Sequence, residues 1–270
     1  MDIATDRVIF AFVLTLLAGL STGIGSVLAF YTKQTNHKFL SLALGFSAGV
    51  MIYVSMIEIF VKARASLEVV YGSTMGYWVT TLSFFGGLGL IALIDKFVPD
   101  AENPHEIRDI QDMRKQSADD PELLRMGMFS ALAIAIHNFP EGLATFTSAI
   151  QDPTLGISIA IAIAIHNIPE GIAVSVPIFF ATGDRKKAFK YSFLSGLSEP
   201  LGAIVGYFIL MRFFNESMFG IVFAGVAGIM VYISLDELLP AAEKYGKHHL
   251  AIYGLVSGMA VMALSLLLFS

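Results

Sequence analysis

Apolar residues along this chain come in long runs rather than in alternation or in narrow stripes. Eight runs of about 20 residues or more are separated by short polar stretches, and each could cross roughly 30 Å of membrane hydrocarbon as an α-helix. The pattern predicts an all-α polytopic membrane protein. The predicted spans cover about 7–31, 39–62, 75–96, 123–149, 155–181, 188–212, 217–240 and 249–269.

The positions of Lys and Arg predict an orientation. An even number of spans puts both termini on one side of the membrane. Of 17 Lys and Arg residues, 13 follow helices one, three, five and seven, and the other four are Arg7, Lys62, Arg64 and Arg212. Because Lys and Arg near the ends of spans resist translocation, we expect the odd-numbered loops to be cytoplasmic and both termini to lie outside.

One extended polar stretch interrupts the apolar runs. Residues at about 98–122 are rich in Asp, Glu and Arg, include three prolines, and lack apolar periodicity. They predict a mobile cytoplasmic loop within a single transmembrane domain that spans 1–270. Its carboxylates and His105 could concentrate cations, although a charge run of this kind is usually a solvated segment.

The composition agrees with a chain in lipid and limits its chemistry. Hydrophobic residues make up 56% and charged residues 14%, and the mean hydropathy is +0.72. The absence of cysteine excludes disulfides, thiolate nucleophiles and Cys-based metal clusters. The net charge of -5 argues against nucleic acid as a partner. The first apolar run is too long for a removable signal peptide, so we expect it to remain as helix one.

Two segments repeat each other in helices that run in opposite directions. AGVMIYVSMIE at 48–58 matches AGIMVYISLDE at 227–237, and five helices separate them by count. Inverted repeats are typical of transporters, in which two oppositely oriented halves can exchange conformations. The alternative is that small-residue helix packing produces the similarity.

A second repeat carries ionisable residues into the middle of two spans. In HNFPEG at 137–142 and HNIPEG at 166–171, His137 and Glu141, and likewise His166 and Glu170, are four residues apart. Each pair therefore lies on one helix face. Ionisable groups at mid-membrane cost several kcal/mol unless they are paired, coordinated or hydrated. A shared zinc, iron, manganese or cobalt ion fits mixed His and Glu ligands; the alternative is a packed kink with a buried His–Glu pair.

Other residues of the two motifs extend this interpretation. Pro140 and Pro169 lie inside the helices, and each frees the carbonyl four residues earlier, so a broken turn is predicted as part of the site. Those carbonyls and the side chains of Asn138 and Asn167 could solvate a cation. The glycine that ends each motif permits close helix approach.

Five further polar or thioether residues lie within or near the spans. Glu199 in helix six could complete or bridge the metal site, or be structural. Met51 in helix two could offer a thioether, or be a core residue. Glu58, and at the opposite face Asp236 and Glu237, read as entrance and exit relays; the alternative is that they only face headgroup water.

These motifs resemble the ZIP family of metal transporters, whose fourth and fifth helices carry HNxPEG-type motifs. The whole chain is similar to the bacterial zinc uptake branch of that family. The resemblance implies a binuclear centre, with Met51 adjacent. The ligands implied for the first ion are His137, Glu141, His166 and Glu170.

The resemblance implies a second ion beside the first, with ligands partly shared. Many family members have Asp where this chain has Asn167, and a histidine-rich loop where this chain offers only His105. The residues implied to hold or bridge the second ion are Asn138, Asn167, Glu141, Glu170 and Glu199.

The resemblance further implies what the protein does. It implies inward transport of zinc, with iron, manganese, cobalt and cadmium as other cargo, by an elevator-like motion in a homodimer in the bacterial inner membrane. No resident cofactor is expected. No Walker A pattern is present, so direct drive by ATP is not expected. The alternatives are a membrane-embedded zinc metallohydrolase, disfavoured because the chain lacks HExxH, and an efflux carrier with the same ligands.

Overall fold

The computed structural model describes residues 5–31, 37–96, 121–213, 215–245 and 248–269, and these residues form helices joined by short turns. His105 and all but the last two residues of the predicted loop at about 98–122 lie outside the described residues. The helices are α1 (Thr5–Tyr31), α2 (His37–Val54), α3 (Phe60–Tyr71), α4 (Ser73–Asp95), α5 (Pro121–Gln151), α6 (Pro153–Thr182), α7 (Arg185–Gly196), α8 (Ser198–Phe213), α9 (Glu216–Ile233), α10 (Leu239–Tyr245) and α11 (His248–Phe269).

The helices have the length and surface of a membrane protein, as the apolar runs predict. Large apolar side chains point outward; on α4, Trp78, Leu82 and Phe85 are each more than 60% exposed. The predicted spans at 123–149 and 188–212 are also helical, and their crossing of the membrane stays a prediction. Among the described residues, six helical segments are long and apolar enough to span a bilayer: Thr5–Tyr31, Lys38–Tyr71, Ser73–Asp95, Pro153–Thr182, Glu216–Lys244 and His248–Leu268.

Two predicted spans differ from the structure. The second predicted span, over 39–62, continues past residue 62 to Tyr71: α2 leads through a π-helical turn at Ser55–Ile59 into α3. The sixth predicted span, over 188–212, is divided at Leu197 into α7 and α8. Pro200 then falls in the first turn of α8, where a missing amide donor costs no helical hydrogen bond.

The motif prolines lie inside continuous helices. α5 continues through Pro140 and α6 continues through Pro169. The predicted position of each proline inside its helix is therefore confirmed, and the turn lacks one hydrogen bond without being unwound. Each proline still removes one amide donor from the helix interior.

The two repeated segments share a local feature. Each contains a π turn that begins at the matched serine, Ser55–Ile59 after α2 and Ser234–Leu238 after α9. π turns inside helices are frequent at functional sites. α3 packs against α9, and α2 packs against α10, so the two segments run antiparallel. The matched Glu58 and Glu237 consequently lie toward opposite ends of this helix pair.

The helices form two groups that pack mainly within themselves. Bundle A consists of α1 and α5–α8, and bundle B consists of α2–α4 and α9–α11. The contact between the groups is made chiefly by α6 with α2 and α11, and by α5 with α9. Beside this contact, an apolar cavity of about 580 Å³ is lined from both bundles, by residues that include Ile91, Ile94, Phe139, Pro140, Val226 and Ile229.

Candidate metal centre

Bundle A brings the two HNxPEG motifs together. α5 and α6 pack side by side, and on each helix the His, the Asn and the Glu of the motif fall within five consecutive residues. All six side chains are buried in the protein, at most 3% exposed. Buried groups of this kind require partners. The six residues are His137, Asn138, Glu141, His166, Asn167 and Glu170.

His166 lies between the carboxylates of both motifs. Its Nε2 atom is 3.2 Å from Oε2 of Glu141 on α5, and 3.8 Å from Oε1 of Glu170 one turn along α6. Two ligand atoms bound to one tetrahedral zinc ion, each at about 2.0–2.1 Å, lie about 3.3–3.4 Å apart. The distance from His166 to Glu141 is therefore close to what a shared zinc ion requires, whereas the Glu170 oxygen is farther from the imidazole, at 3.8 Å.

The candidate ligands His166, Glu141 and Glu170 contact one another rather than surround an open position for a metal ion. Within the described part of the chain, no group of three or more His, Asp and Glu side chains is already arranged to hold a metal ion. A cation that enters must therefore replace the contacts between imidazole and carboxylate with bonds to itself. This exchange requires neutral imidazole and ionised carboxylates, which are the forms that ligate metals.

His137 turns toward bundle B. Its Nε2 atom lies 3.0 Å from Oε1 of Glu237, in the π turn after α9, and both side chains are buried. The carboxylates of Glu141 and Glu170 also act on this imidazole electrostatically. The structure thus joins Glu237 directly to a motif histidine, a closer relationship than the sequence predicts for an exit relay.

Glu199 and Asn167 form a polar pair beside the carboxylates. The amide nitrogen of Asn167 donates to Oε1 of Glu199, and also to the carbonyl oxygen of Ala18 on α1 at 3.0 Å. Glu199 is fully buried, and the charges of Glu141 and Glu170 act on its carboxyl group. Asn167 and Glu199, two of the residues implied for a second ion, are therefore in contact, with the Asn167 amide group between two acceptors.

Several polar atoms in this region lack a hydrogen-bond partner among the described residues. These are both amide atoms of Asn138, Oδ1 of Asn167 and Oε2 of Glu199. A buried polar group left without a partner costs about 1–3 kcal/mol. Their oxygens are the kind of donor that a hydrated or partly dehydrated cation accepts. The donor set therefore fits a cationic ligand.

Close helix approach at the motif glycines is confirmed. A Cβ atom at Gly142 would lie 2.0 Å from the backbone carbonyl oxygen of Glu199, and one at Gly171 would lie 1.9 Å from that of Thr22. Only glycine fits at such contacts. Gly142 thus lets α8 bring Glu199 against α5, directly beside Glu141.

The other predicted residues lie at different depths. Met51 is fully buried on α2, in the same core cluster as Ile134 and Ile163, each of which lies three residues before a motif histidine. Glu58 is partly exposed and paired with Lys62. Asp236 is exposed, unlike its neighbour Glu237.

Three polar residues near the candidate ligands or at the bundle contact are not among the predicted site residues. Asp95 lies at the end of α4, and the charges of Glu237, Asp236 and His137 act on its carboxyl group. A carboxylate at the last position of an apolar run was the available signal for it. Lys62 and Asp152 form an ion pair between α3 and the start of α6, at 3.2 Å. No sequence pattern signals this pair, because 90 residues separate its members.

Comparison with known proteins agrees with this architecture. The model of the ZIP Zinc transporter family matches residues 100–266, which include both HNxPEG motifs. Proteins named Zinc transporter ZupT are similar over nearly their whole lengths. The one from Oceanobacillus iheyensis is 65% identical over 97% of this chain and 99% of its own.

Two further relatives come from other bacteria. The Zinc transporter ZupT of Chlorobaculum parvum is 67% identical over 98% of this chain and 99% of its own. That of Streptococcus mutans is 65% identical over 96% and 97%, respectively. Such identity over the full length is sufficient to assign the family. The chain therefore belongs to the ZIP family of zinc transporters, as a multi-pass protein of the bacterial cell membrane.

Proposed function

We propose that this protein carries divalent metal cations, zinc first, through the membrane into the cytoplasm, and that the cargo binds between the two HNxPEG motifs. Iron, manganese, cobalt and cadmium are further cargo in this proposal. The observation that carries it is the position of the His166 imidazole, within 4 Å of carboxylates from both α5 and α6. The full-length similarity to proteins named Zinc transporter ZupT supports zinc as the cargo.

The first ion is held by His137, Glu141, His166 and Glu170. These side chains supply two nitrogens and up to four oxygens from a dry site, without any thiolate. The contact of His137 with Glu237 supports a release route: the imidazole turns from the cargo toward Glu237 and opens one coordination position. Asp236 then leads to water, because it is exposed.

A second ion binds beside the first when cargo is abundant. Its ligands come from Glu199 and from the two motif asparagines, with Glu141 and Glu170 as bridging carboxylates. The unpaired oxygen atoms of Asn167 and Glu199 support this site. The Asn167 amide weakens it, since an amide oxygen contributes no negative charge to a cation that an aspartate would attract.

Transport occurs by movement of bundle A relative to bundle B. All four His and Glu residues of the motifs belong to bundle A, so the cargo travels with one body. The apolar cavity beside Pro140 supports such movement, because sliding along apolar walls breaks no hydrogen bonds. Inverted repeats in bundle B, with a π turn in each, would offer equivalent docking positions at both ends.

The proposed membrane arrangement has eight spans, both termini outside, and one transmembrane domain over 1–270. The segment at about 98–122 then belongs to the cytoplasmic side. The protein is proposed to work as a homodimer. The skew of Lys and Arg toward the odd-numbered loops supports the orientation. Tags at the two termini, tested for accessibility in intact cells, check it; a cytoplasmic terminus would contradict it.

The proposal is tested with purified protein in liposomes that contain a metal-sensitive dye. Zinc, iron, manganese, cobalt and cadmium are added outside, and dye signals are compared for wild type, His137→Ala and Glu141→Ala. We expect zinc flux in wild type and a loss of at least about tenfold in both variants. Each loses one ligand from a dry site, and about 1.4 kcal/mol corresponds to a factor of ten.

His248→Ala is the matched control. This imidazole is exposed and paired with Glu243 at 2.7 Å, far from both motifs in the chain, so zinc flux should remain at the wild-type level. Unchanged flux in His137→Ala and Glu141→Ala would refute the assigned site. Absence of flux for every metal in wild type would refute transport and favour the membrane metallohydrolase.

A further inference from the structure

A charged bridge joins the two bundles at the end of bundle B opposite to the His137–Glu237 contact. Nζ of Lys62, on α3, lies 2.9 Å from Oε1 of Glu58 and 3.2 Å from Oδ2 of Asp152. Glu58 and Lys62 belong to bundle B, whereas Asp152 precedes α6 of bundle A. One ammonium group therefore holds a carboxylate of each bundle.

Asp152 is fixed to α6 by its own hydrogen bonds. Its Oδ1 atom accepts from the amide of Thr154 at 3.0 Å and from that of Leu155 at 3.3 Å, so it is the N-cap of α6. The other oxygen, Oδ2, is the one that contacts Lys62. A force on this carboxylate is thus transmitted to the helix that carries His166 and Glu170.

The bridge involves a residue of the inverted repeat. Glu58 in the first repeat and Glu237 in the second occupy matching positions, each within a π turn. Glu237 contacts bundle A directly at His137, and Glu58 contacts it through Lys62. The two repeats therefore hold bundle A at opposite ends of bundle B, one by a buried contact and the other by a partly exposed one.

We propose that Lys62 is a positioning residue: it latches α6 to bundle B in this conformation and must release Asp152 before bundle A can move. This inference rests on the proposed function, which requires that movement. The Lys62 side chain is 34% exposed, so the ammonium group can turn into water when the bridge opens. Glu58 is then free to attract an arriving cation at the proposed outer end.

The chain itself offers a reporter for this conformation. It contains no cysteine, so an introduced pair would be its only thiols. Oγ of Ser265, on α11 of bundle B, lies 3.3 Å from Oγ of Ser158, on α6 of bundle A. In the double variant Ser158→Cys/Ser265→Cys, a disulfide forms only while α6 and α11 keep this register.

The experiment measures the rate of disulfide formation in this double variant, in liposomes, with an oxidant that carries no metal ion. The bridge is then broken by Lys62→Met or by Asp152→Asn; Asn still caps the helix. Because partly exposed ion pairs are weak, we expect the rate to fall about two- to fivefold in both. Lys62→Arg, which keeps the charge, should restore the wild-type rate.

Arg64→Met is the matched control. Arg64 pairs with Glu68 at 2.6 Å and lies over the Tyr77 ring, both within bundle B, so its loss should leave the rate unchanged. Equal rates in the parent, Lys62→Met and Asp152→Asn would overturn the latch. Zinc flux is also measured on the same proteins after reduction, which distinguishes failure of the latch from failure of the proposed function. Zinc flux together with unchanged rates of disulfide formation would refute only the latch. Slower disulfide formation without zinc flux would refute only transport.

Discussion

His137 on bundle A and Glu237 on bundle B meet at 3.0 Å, and both side chains are almost completely buried. One partner lies in an HNxPEG motif, and the other in a π turn of the inverted repeat. This contact therefore joins the candidate ligands of bundle A to bundle B, relative to which bundle A is proposed to move. A cation held by His137 must compete with this carboxylate.

Removal of the Glu237 charge should slow transport. In Glu237→Gln the side chain keeps its size, but the charged acceptor for His137 is lost. The His137 imidazole then turns away from the cargo less readily, so the proposed release step becomes slower. Contacts of this type contribute about 1.5–3 kcal/mol, so we expect zinc flux into liposomes to fall by at least about tenfold.

The adjacent residue supplies the comparison for that variant. Asp236 lies on the proposed release route, but it is exposed and water screens its charge, so Asp236→Asn should reduce zinc flux by less than about twofold. Equal effects of the two substitutions would mean that the residues act together as a general negative patch, and that the His137 contact has no special role.

Close packing at the motif glycine gives a second prediction. In Gly142→Ala the new methyl group would lie 2.0 Å from the carbonyl oxygen of Glu199, so α5 and α8 must separate. We expect a loss of about 1–3 kcal/mol of stability and weaker zinc binding, because Glu199 moves away from Glu141. Thermal unfolding in detergent and zinc titration calorimetry measure the two effects.

Gly86→Ala is the matched substitution on α4. Among the described residues, and apart from the adjoining backbone of α4 itself, no atom lies within 4 Å of a Cβ at this position. Stability should stay constant or rise by up to about 1 kcal/mol, because alanine has the higher helix propensity. A stable, zinc-binding Gly142→Ala protein would show that α8 can retreat without consequence for the site.

The membrane helices were predictable because their signal is local. Each needs only a run of apolar residues, and the two HNxPEG motifs carry their candidate ligands at a spacing that is visible in the sequence. The division of the sixth predicted span at Leu197, between α7 and α8, was harder to predict. It depends on packing: a Cβ atom at Gly196 would lie 2.3 Å from the carbonyl oxygen of Gly19 on α1. Contacts between distant helices leave no periodic trace in the sequence.

The partners of the predicted residues follow the same rule. The spacing of His166 and Glu170 predicts their contact within one helix. The partner of His137 is instead a residue 100 positions away in the other bundle. Glu58 and Glu237 look equivalent in the repeats, yet one is paired with lysine near the surface and the other is buried against histidine. Bundle A approaches the two repeats differently, and only the structure reveals that asymmetry.

A third prediction concerns the second ion. In Asn167→Asp, the amide group that donates to Glu199 and to the Ala18 carbonyl is replaced by a carboxylate, which restores the residue common in ZIP proteins. Without metal, the buried carboxylates repel each other, so we expect a lower unfolding temperature. With saturating zinc, we expect the loss to be recovered and the binding stoichiometry to rise toward two ions.

Asn167→Ala separates charge from the loss of the amide. It also lacks the donors of Asn167, but it adds no ligand, so zinc should not restore its stability. If zinc stabilised Asn167→Asp and Asn167→Ala equally, the second site would not involve residue 167.

The final prediction follows from the pKa of Asp152. Burial acts to raise this pKa, but the hydrogen bonds from the amides of Leu155 and Thr154, together with the contact and charge of Lys62, lower it below the ordinary value of 3.8. A carboxyl with a lowered pKa stabilises the folded state above its unfolded pKa. That contribution is lost as the pH falls through the folded value.

We therefore expect the unfolding temperature of wild type to exceed that of Asp152→Asn by a constant amount down to about pH 4, and the difference to shrink below it. The Asp152 side chain is 43% exposed, so the difference should be small. In a Lys62→Met background it should be smaller at every pH, because the cross-bundle charge is absent. Thermal unfolding in detergent between pH 6 and pH 3 measures it, and a difference that persists unchanged at pH 3 would exclude the Asp152 charge as its source.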